Sequence, residues 1–244
     1  MQKVTKNQVK FVRSLARKKV RDEERVFIAE GEKCVSELMG HFELVLRADS
    51  TNATALELEQ MSQLRAPQGV IAVFRQPEPK PIDLAALAAK ELVLVLDGVQ
   101  DPGNLGTIIR TADWFGIRHI VCSHETADCW NPKVVQATMG ALARVQVQYE
   151  NLISLIRPIC LISPIGPIYG TLLDGHNLYE KAALPEKQHG LIIMGNEGNG
   201  ISQELRPLIT HPLFIPPYPQ GAETSESLNV SIATAVILAE FRRP

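Results

Sequence analysis

The stretch LIIMGNEGNGIS, residues 191–202, decides how this chain is built. Leu191 to Met194 are uninterruptedly apolar, which reads as a strand buried on both faces, the kind found in parallel sheets covered by helices. The strand runs straight into Gly195, Gly198 and Gly200, and three glycines within six residues let a backbone turn sharply and come close to a ligand. Open α/β sheets collect their ligands beyond the carboxyl ends of strands, so this turn is a candidate site. Glu197 lies inside it; read locally, it is a surface carboxylate favoured by the dipole of a following helix. The pattern is not G-x-G-x-x-G after a first strand, and no Lys-Ser/Thr follows, so neither the dinucleotide fingerprint nor the P-loop applies.

Two other segments repeat the strand-then-loop arrangement. LVLVLD (92–97) leads to DPGNLGTIIRTADWFG (101–116), a glycine-containing loop entering a helix from about Asn104 to Phe115, with Arg110 six residues after Asn104. Locally, Asn104 caps that helix and Arg110 is an exposed cation on it. PLFI (212–215) leads to IPPYPQGAETSESLNVSIATAVILAEF (215–241), where prolines fix the chain and Ser225, Ser227 and Asn229 precede an apolar helix from about Leu228 to Phe241. There Ser225 or Ser227 is the expected N-cap. HIVC (119–122) and CLIS (160–163) read as further strands, and a helix is expected around Val134–Leu142. Apolar strands alternating with helices predict an α/β fold, a mostly parallel sheet with helices on both faces.

Upstream the pattern is different. Val9, Val12 and Leu15 recur at threes and make Lys6 to Leu15 a short amphipathic helix. Val26–Ile28 is strand-like and leads through Gly31 into a helix holding Val35 and Leu38, and FELVLRA and GVIAVF read as two further buried strands. Arg75-Gln76-Pro77-Glu78-Pro79-Lys80-Pro81 carries a proline at every second position, which disfavours helix and central strand alike and makes a stiff, extended connection. The expected division is therefore a small α/β domain over 1–75, a linker over 76–89 and a second domain over 90–244.

Composition narrows the function classes. The formal net charge is −2, yet residues 1–25 hold nine Lys/Arg against three acids, a local charge of +6 that leaves −8 elsewhere. Such a basic segment is either a solvated helix face or a surface that meets a phosphate backbone. Cys34, Cys122, Cys129 and Cys160 have no C-x-x-C spacing and no paired histidines nearby, so no zinc or redox motif is indicated and a reducing, cytoplasmic setting is expected. The N-terminus lacks an apolar signal region and no apolar run is long enough to span a bilayer, so no membrane association is expected.

Taken together and in this order, NLGTIIRTA, GNEGNGIS and IP…SLNVSIATA resemble the three motifs of the SpoU (TrmH-like) RNA 2′-O-ribose methyltransferases of the SPOUT superfamily. The resemblance covers about 90–244, and residues 3–40 also resemble the small RNA-binding domain that many members carry. Almost the whole chain is thereby accounted for, except the linker and the stretch 165–190. The resemblance implies a trefoil knot in the C-terminal domain, S-adenosyl-L-methionine as methyl donor, a homodimer, and RNA as substrate, ribosomal RNA favoured over tRNA. It also implies that Gly195, Ile215 and Leu228 bind the cofactor, and that Asn104, Arg110, Glu197, Ser227 and Asn229 form the catalytic surface. Val230, Ile237 and Phe241 on the last helix are candidate buried residues of the dimer, or equally ordinary core. The thirteen positions from Ile215 to Leu228 make a longer loop than most members have, and Gly221 and Glu226 within it receive no role.

Two other classes compete. A non-catalytic RNA-binding or ribosome-assembly protein with this fold is expected to have lost some of Asn104, Arg110, Glu197 and Asn229, and all four are present. A Rossmann-type methyltransferase of small molecules places its glycine-rich loop after the first strand, whereas here the glycines follow a late one, and it gives the basic N-terminal segment no purpose.

Overall fold

The computed structural model describes residues 3–162, 166–180, 183–184, 188–219, 225 and 227–243. The chain first runs through α1 (Lys6–Ser14), α2 (Lys18–Glu24), β1 (Val26–Glu30), α3 (Glu32–Leu38), β2 (Leu44–Ala48), α4 (Ala55–Met61) and β3 (Ile71–Arg75). It continues through α5 (Leu84–Ala88), β4 (Leu92–Leu96), α6 (Pro102–Trp114), β5 (His119–Cys122), α7 (Pro132–Thr138) and β6 (Gln146–Tyr149). The remaining elements are α8 (Leu152–Ile162), β7 (Ile168–Asn177), β8 (Gly190–Met194), β9 (His211–Phe214) and α9 (Val230–Arg242).

Packing divides these elements differently from a single cut at the proline linker. One compact unit comprises residues up to 79 together with 128–144; the other comprises 80–127 and the chain from 145 onward. In the first unit β1, β3 and β2 form an antiparallel sheet in that order. Helix α1 is closed at its start by a reciprocal Thr5–Gln8 capping box and buries Val9 and Val12, with Leu15 just beyond, against Ile28, Met61 and Val73. Strand β3 is buried as expected, but β2 lies at the sheet edge and leaves Leu44 and Val45 exposed, so FELVLRA is only half a core strand.

The 128–144 excursion is held by a buried ion pair and an aromatic contact. Arg21, 2% exposed, donates from Nη2 to Asp128 Oδ2 at 2.6 Å and from Nη1 to the carbonyls of Leu15 and Ala16. Trp130 packs its ring 4.6 Å from that of Phe27. Neither contact is visible in local sequence, because Arg21 and Asp128 are 107 positions apart.

In the second unit six strands, all parallel, lie in the order β6-β5-β4-β8-β7-β9. Val93, Val95, Leu191 and Ile193 point to one face, where they pack with Leu84 and Ala88 of α5 and Leu152 and Ile156 of α8. The alternate side chains meet α9, as the 4.8 Å edge contact of Tyr169 with Phe241 shows, and α6 packs against α9. The expected strand CLIS is corrected: Cys160 to Ile162 belong to α8, and Ser163 lies outside the described residues. Leu152 and Ile156 are spaced for a helix face, and the Asn151 side chain accepts from Ser154 N at 3.0 Å, which starts a helix rather than a strand.

Candidate active site

The turn after β8 is tied down at every corner. Asn196 and Gly200 exchange backbone hydrogen bonds of 2.9 and 3.0 Å. Asn196 Oδ1 accepts from the amides of Gly198 and Asn199 at 2.8 and 3.0 Å, while Nδ2 donates to the carbonyl of Gly98 at 2.6 Å. One amide side chain thus shapes the turn and fastens it to the loop after β4. Gly195 is required by close approach: a Cβ there would sit 2.3 Å from the carbonyl carbon of Gly200 and 2.4 Å from the nitrogen of Ile201. Asp97, at the end of β4, adds a further clamp by accepting from Ser202 N at 2.7 Å. Neither Asn196 nor Asp97 is among the residues expected from the sequence; an asparagine inside a glycine turn is the signal that points to the first.

The three motif segments meet at one chain of hydrogen bonds. Asn229 caps α9, its Oδ1 accepting from Ser231 N at 3.0 Å and from Ile232 N at 3.4 Å. With the oxygen so used, its Nδ2 faces Asn104 and donates to Asn104 Oδ1 at 3.0 Å. Asn104 in turn donates from Nδ2 to Glu197 Oε1 at 2.8 Å. The helix cap therefore sets the direction of the whole relay, and Glu197 is placed as its terminal acceptor. The expected caps are corrected. Asp101 caps α6, accepting from Asn104 N at 2.8 Å, because it stands just before Pro102 at the first helical turn; Asn229, not Ser225 or Ser227, caps α9.

Beyond the ends of β7, β8 and β9 opens a cleft of about 810 Å³, within the range of about 300–1,000 Å³ that small ligands occupy. Gly195, Ile215 and Leu228 line it, as do Glu197, Ser225 and Ser227. Met194, Leu172 and Leu213 add apolar wall, and Asp174, paired with Arg206, adds a charged rim. A second cleft of about 640 Å³ borders the same turn but carries Asp97, Glu125, Glu150 and Glu204, a charge unsuited to a phosphate-rich partner. Asn104 and Asn229 reach the first cleft through Glu197. Arg110 stands apart: it is exposed on α6, does not line the cleft, and makes no side-chain hydrogen bond or ion pair among the described residues. Gly221 and Glu226 lie outside the described residues.

The SpoU rRNA Methylase family profile matches residues 91–239. The chain belongs to the SpoU rRNA methylase family. The MRM3-like substrate binding domain profile matches residues 6–49. The 23S rRNA (guanosine(2553)-2′-O)-methyltransferase RlmP of Bacillus subtilis is 34% identical, over 97% of this chain and 97% of its own length. A solved TrmH-family structure from Porphyromonas gingivalis is 39% identical, with a TM-score of 0.85 over 98% of both chains. The AdoMet-bound rRNA methyltransferase of Sinorhizobium meliloti is 29% identical, with a TM-score of 0.83 over 99% of this chain and 96% of its own. SpoU relatives thus share the parallel sheet and the sequence across both units.

Proposed function

We propose that this protein methylates the 2′ hydroxyl of a ribose in ribosomal RNA, with S-adenosyl-L-methionine as donor. The observation that carries the reading is the Asn229–Asn104–Glu197 relay, which joins all three motif segments at the wall of one ligand-sized cleft. The cleft suits the donor: its apolar wall matches an adenine face, and its backbone turn and charged rim match the amino-acid and ribose parts. Gly195, Ile215 and Leu228 hold the cofactor, largely through backbone groups. When bound, it supplies an electrophilic sulfonium methyl.

This chain's residues do the rest by positioning and charge. Asn104 and Asn229 fix Glu197, and Ser227 lines the same cleft. Arg110 binds the phosphate next to the reacting ribose and stabilises negative charge developing on the 2′ oxygen; a guanidinium stays protonated, so it acts as a donor rather than as a base. Residues 6–49 hold the RNA, a role supported by the substrate-binding family they match.

A homodimer completes the reading. Trp114 on α6 is 85% exposed and Ile232 on α9 is 53% exposed, and the face of α6 that bears Trp114 is the surface we assign to a second copy. A second copy on this face meets Arg110, one turn before Trp114. Of the two readings of Val230, Ile237 and Phe241, ordinary core is the one supported: all three are buried within the chain itself. A trefoil knot is the reading that family membership supports, and a cytoplasmic setting is supported by four cysteines that form no disulfide among the described residues. No helix among the described residues is long and apolar enough to cross a membrane.

Calorimetry with S-adenosylhomocysteine should give one site per chain, and a flat titration on folded protein would overturn the enzymatic reading. Light scattering should give twice the chain mass, and Trp114→Glu should halve it.

A further inference from the structure

The +6 of residues 1–25 is not evenly available to a partner. Of its nine cations, Lys18 pairs with Asp22 at 2.7 Å, Lys19 with Glu23 at 3.7 Å, Arg21 with Asp128 at 2.6 Å and Arg25 with Glu78 at 3.5 Å. Lys3 lies within electrostatic reach of Glu57. The other four, Lys6, Lys10, Arg13 and Arg17, are exposed, and none makes a side-chain hydrogen bond or ion pair among the described residues. They recur at steps of four, three and four residues, so the three on α1 share one stripe, and Arg17 extends it at the junction before α2. From Lys6 to Arg13 the stripe climbs roughly 10 Å at a rise of about 1.5 Å per residue.

Two occupants suit an amphipathic basic helix, a membrane surface and a nucleic acid, and packing separates them. Membrane binding needs the apolar face free to enter the lipid boundary. Here Val9, Val12 and Leu15 are buried at 8%, 0% and 0% exposure in the core of the first unit. Only the charged face is on offer. We infer that Lys6, Lys10, Arg13 and Arg17 form a phosphate track that grips the backbone of the RNA substrate. The inference deepens the proposed function and rests on its assignment of RNA as the substrate. Long cations a turn apart can follow successive phosphates without reading bases, so the track contributes affinity and register while sequence choice lies elsewhere.

The test is filter binding of the full-length protein to an unmodified 23S ribosomal RNA transcript across a salt series. Each lost phosphate contact should flatten the slope of log affinity against log salt by about 0.7–0.9, so a variant with Lys6, Lys10, Arg13 and Arg17 all changed to Ala should lose about 3–4 of slope. The single variant Lys10→Ala should lose about 1. Lys18→Ala/Lys19→Ala removes charge that is already paired and should leave the slope within about 1 of wild type. An unchanged slope in the fourfold variant, no binding by wild type, or equal loss in the double variant would overturn the track, as would competition of phosphatidylserine vesicles with RNA for wild type. Thermal melts and S-adenosylhomocysteine affinity of the variants should match wild type. If wild type shows the expected slope and loss pattern but binds no S-adenosylhomocysteine, the enzymatic reading fails and the track stands.

Discussion

The turn at 195–200 and the solvent face of α1 are both dense in polar groups, but they use them in opposite ways. At the turn Asn196 engages both ends of its amide, and Asn229, Asn104 and Glu197 engage one another in series. The cations at 6, 10 and 13 on α1, and at 17 just beyond it, engage nothing among the described residues. Groups that satisfy each other hold a shape; groups left unsatisfied are free to bind a substrate. Arg110 belongs to the second kind although it sits on the helix that begins at the relay. On the proposed reading, the difference separates the cofactor cleft from the surfaces that meet RNA, and mutations should respect it.

The largest effect expected is at Arg110. Arg110→Ala should slow single-turnover methyl transfer on the order of a hundredfold to a thousandfold, as removal of an oxyanion donor does. S-adenosylhomocysteine affinity should stay near wild type, because the side chain does not line the cleft. Arg110→Lys should recover little, since it keeps charge but not the two-point fork. Near-normal turnover in Arg110→Ala would move this residue out of the mechanism, and a matching loss of cofactor affinity would move it to the first class of group.

Breaking a satisfied group should instead cost stability. Asp128→Ala leaves the Arg21 guanidinium buried and uncompensated, and such losses run to about 3–5 kcal/mol in chemical denaturation. Asn229→Ala removes the α9 cap at about 1 kcal/mol and releases Asn104, so it should lower both the melting temperature and turnover. A loss of turnover with an unchanged melt would show that Asn229 acts on substrate and not through the relay. The smallest effect concerns Cys34, whose thiol burial pushes up to about 11. The folded chain keeps a proton that the unfolded chain releases near pH 9, so this contribution to stability is present below pH 9 and fades as pH rises toward 11. A Cys34→Ala protein should show a flatter stability profile over that window.

What could be read from sequence follows the same division. LVLVL, HIVC and LIIM are legible as strands because their burial on two faces leaves no polar interruption. Strand β7 is not, because IYGTLLDGHN contains two glycines and an aspartate and its pairing with β9 shifts register between Thr171 and His176. Helix α4 is legible only through its capping box, Thr54 with Glu57, because its seven residues are too few to show a helical period. Asn104, Glu197 and Asn229 were named through the motif resemblance. Their hydrogen bonds, which span 93 and 125 positions, follow only from the folded chain.

Methyl transfer to a ribose oxygen can be read out chemically. The direct measurement is incubation of the full-length protein with a 23S ribosomal RNA transcript and methyl-labelled S-adenosylmethionine, followed by alkaline hydrolysis. A 2′-O-methyl group blocks cleavage at its own phosphodiester, so the account predicts label in one alkali-resistant dinucleotide, lost with Arg110→Ala. Label recovered in a base-methylated mononucleotide, or no label from a protein that binds both cofactor and RNA, would contradict it.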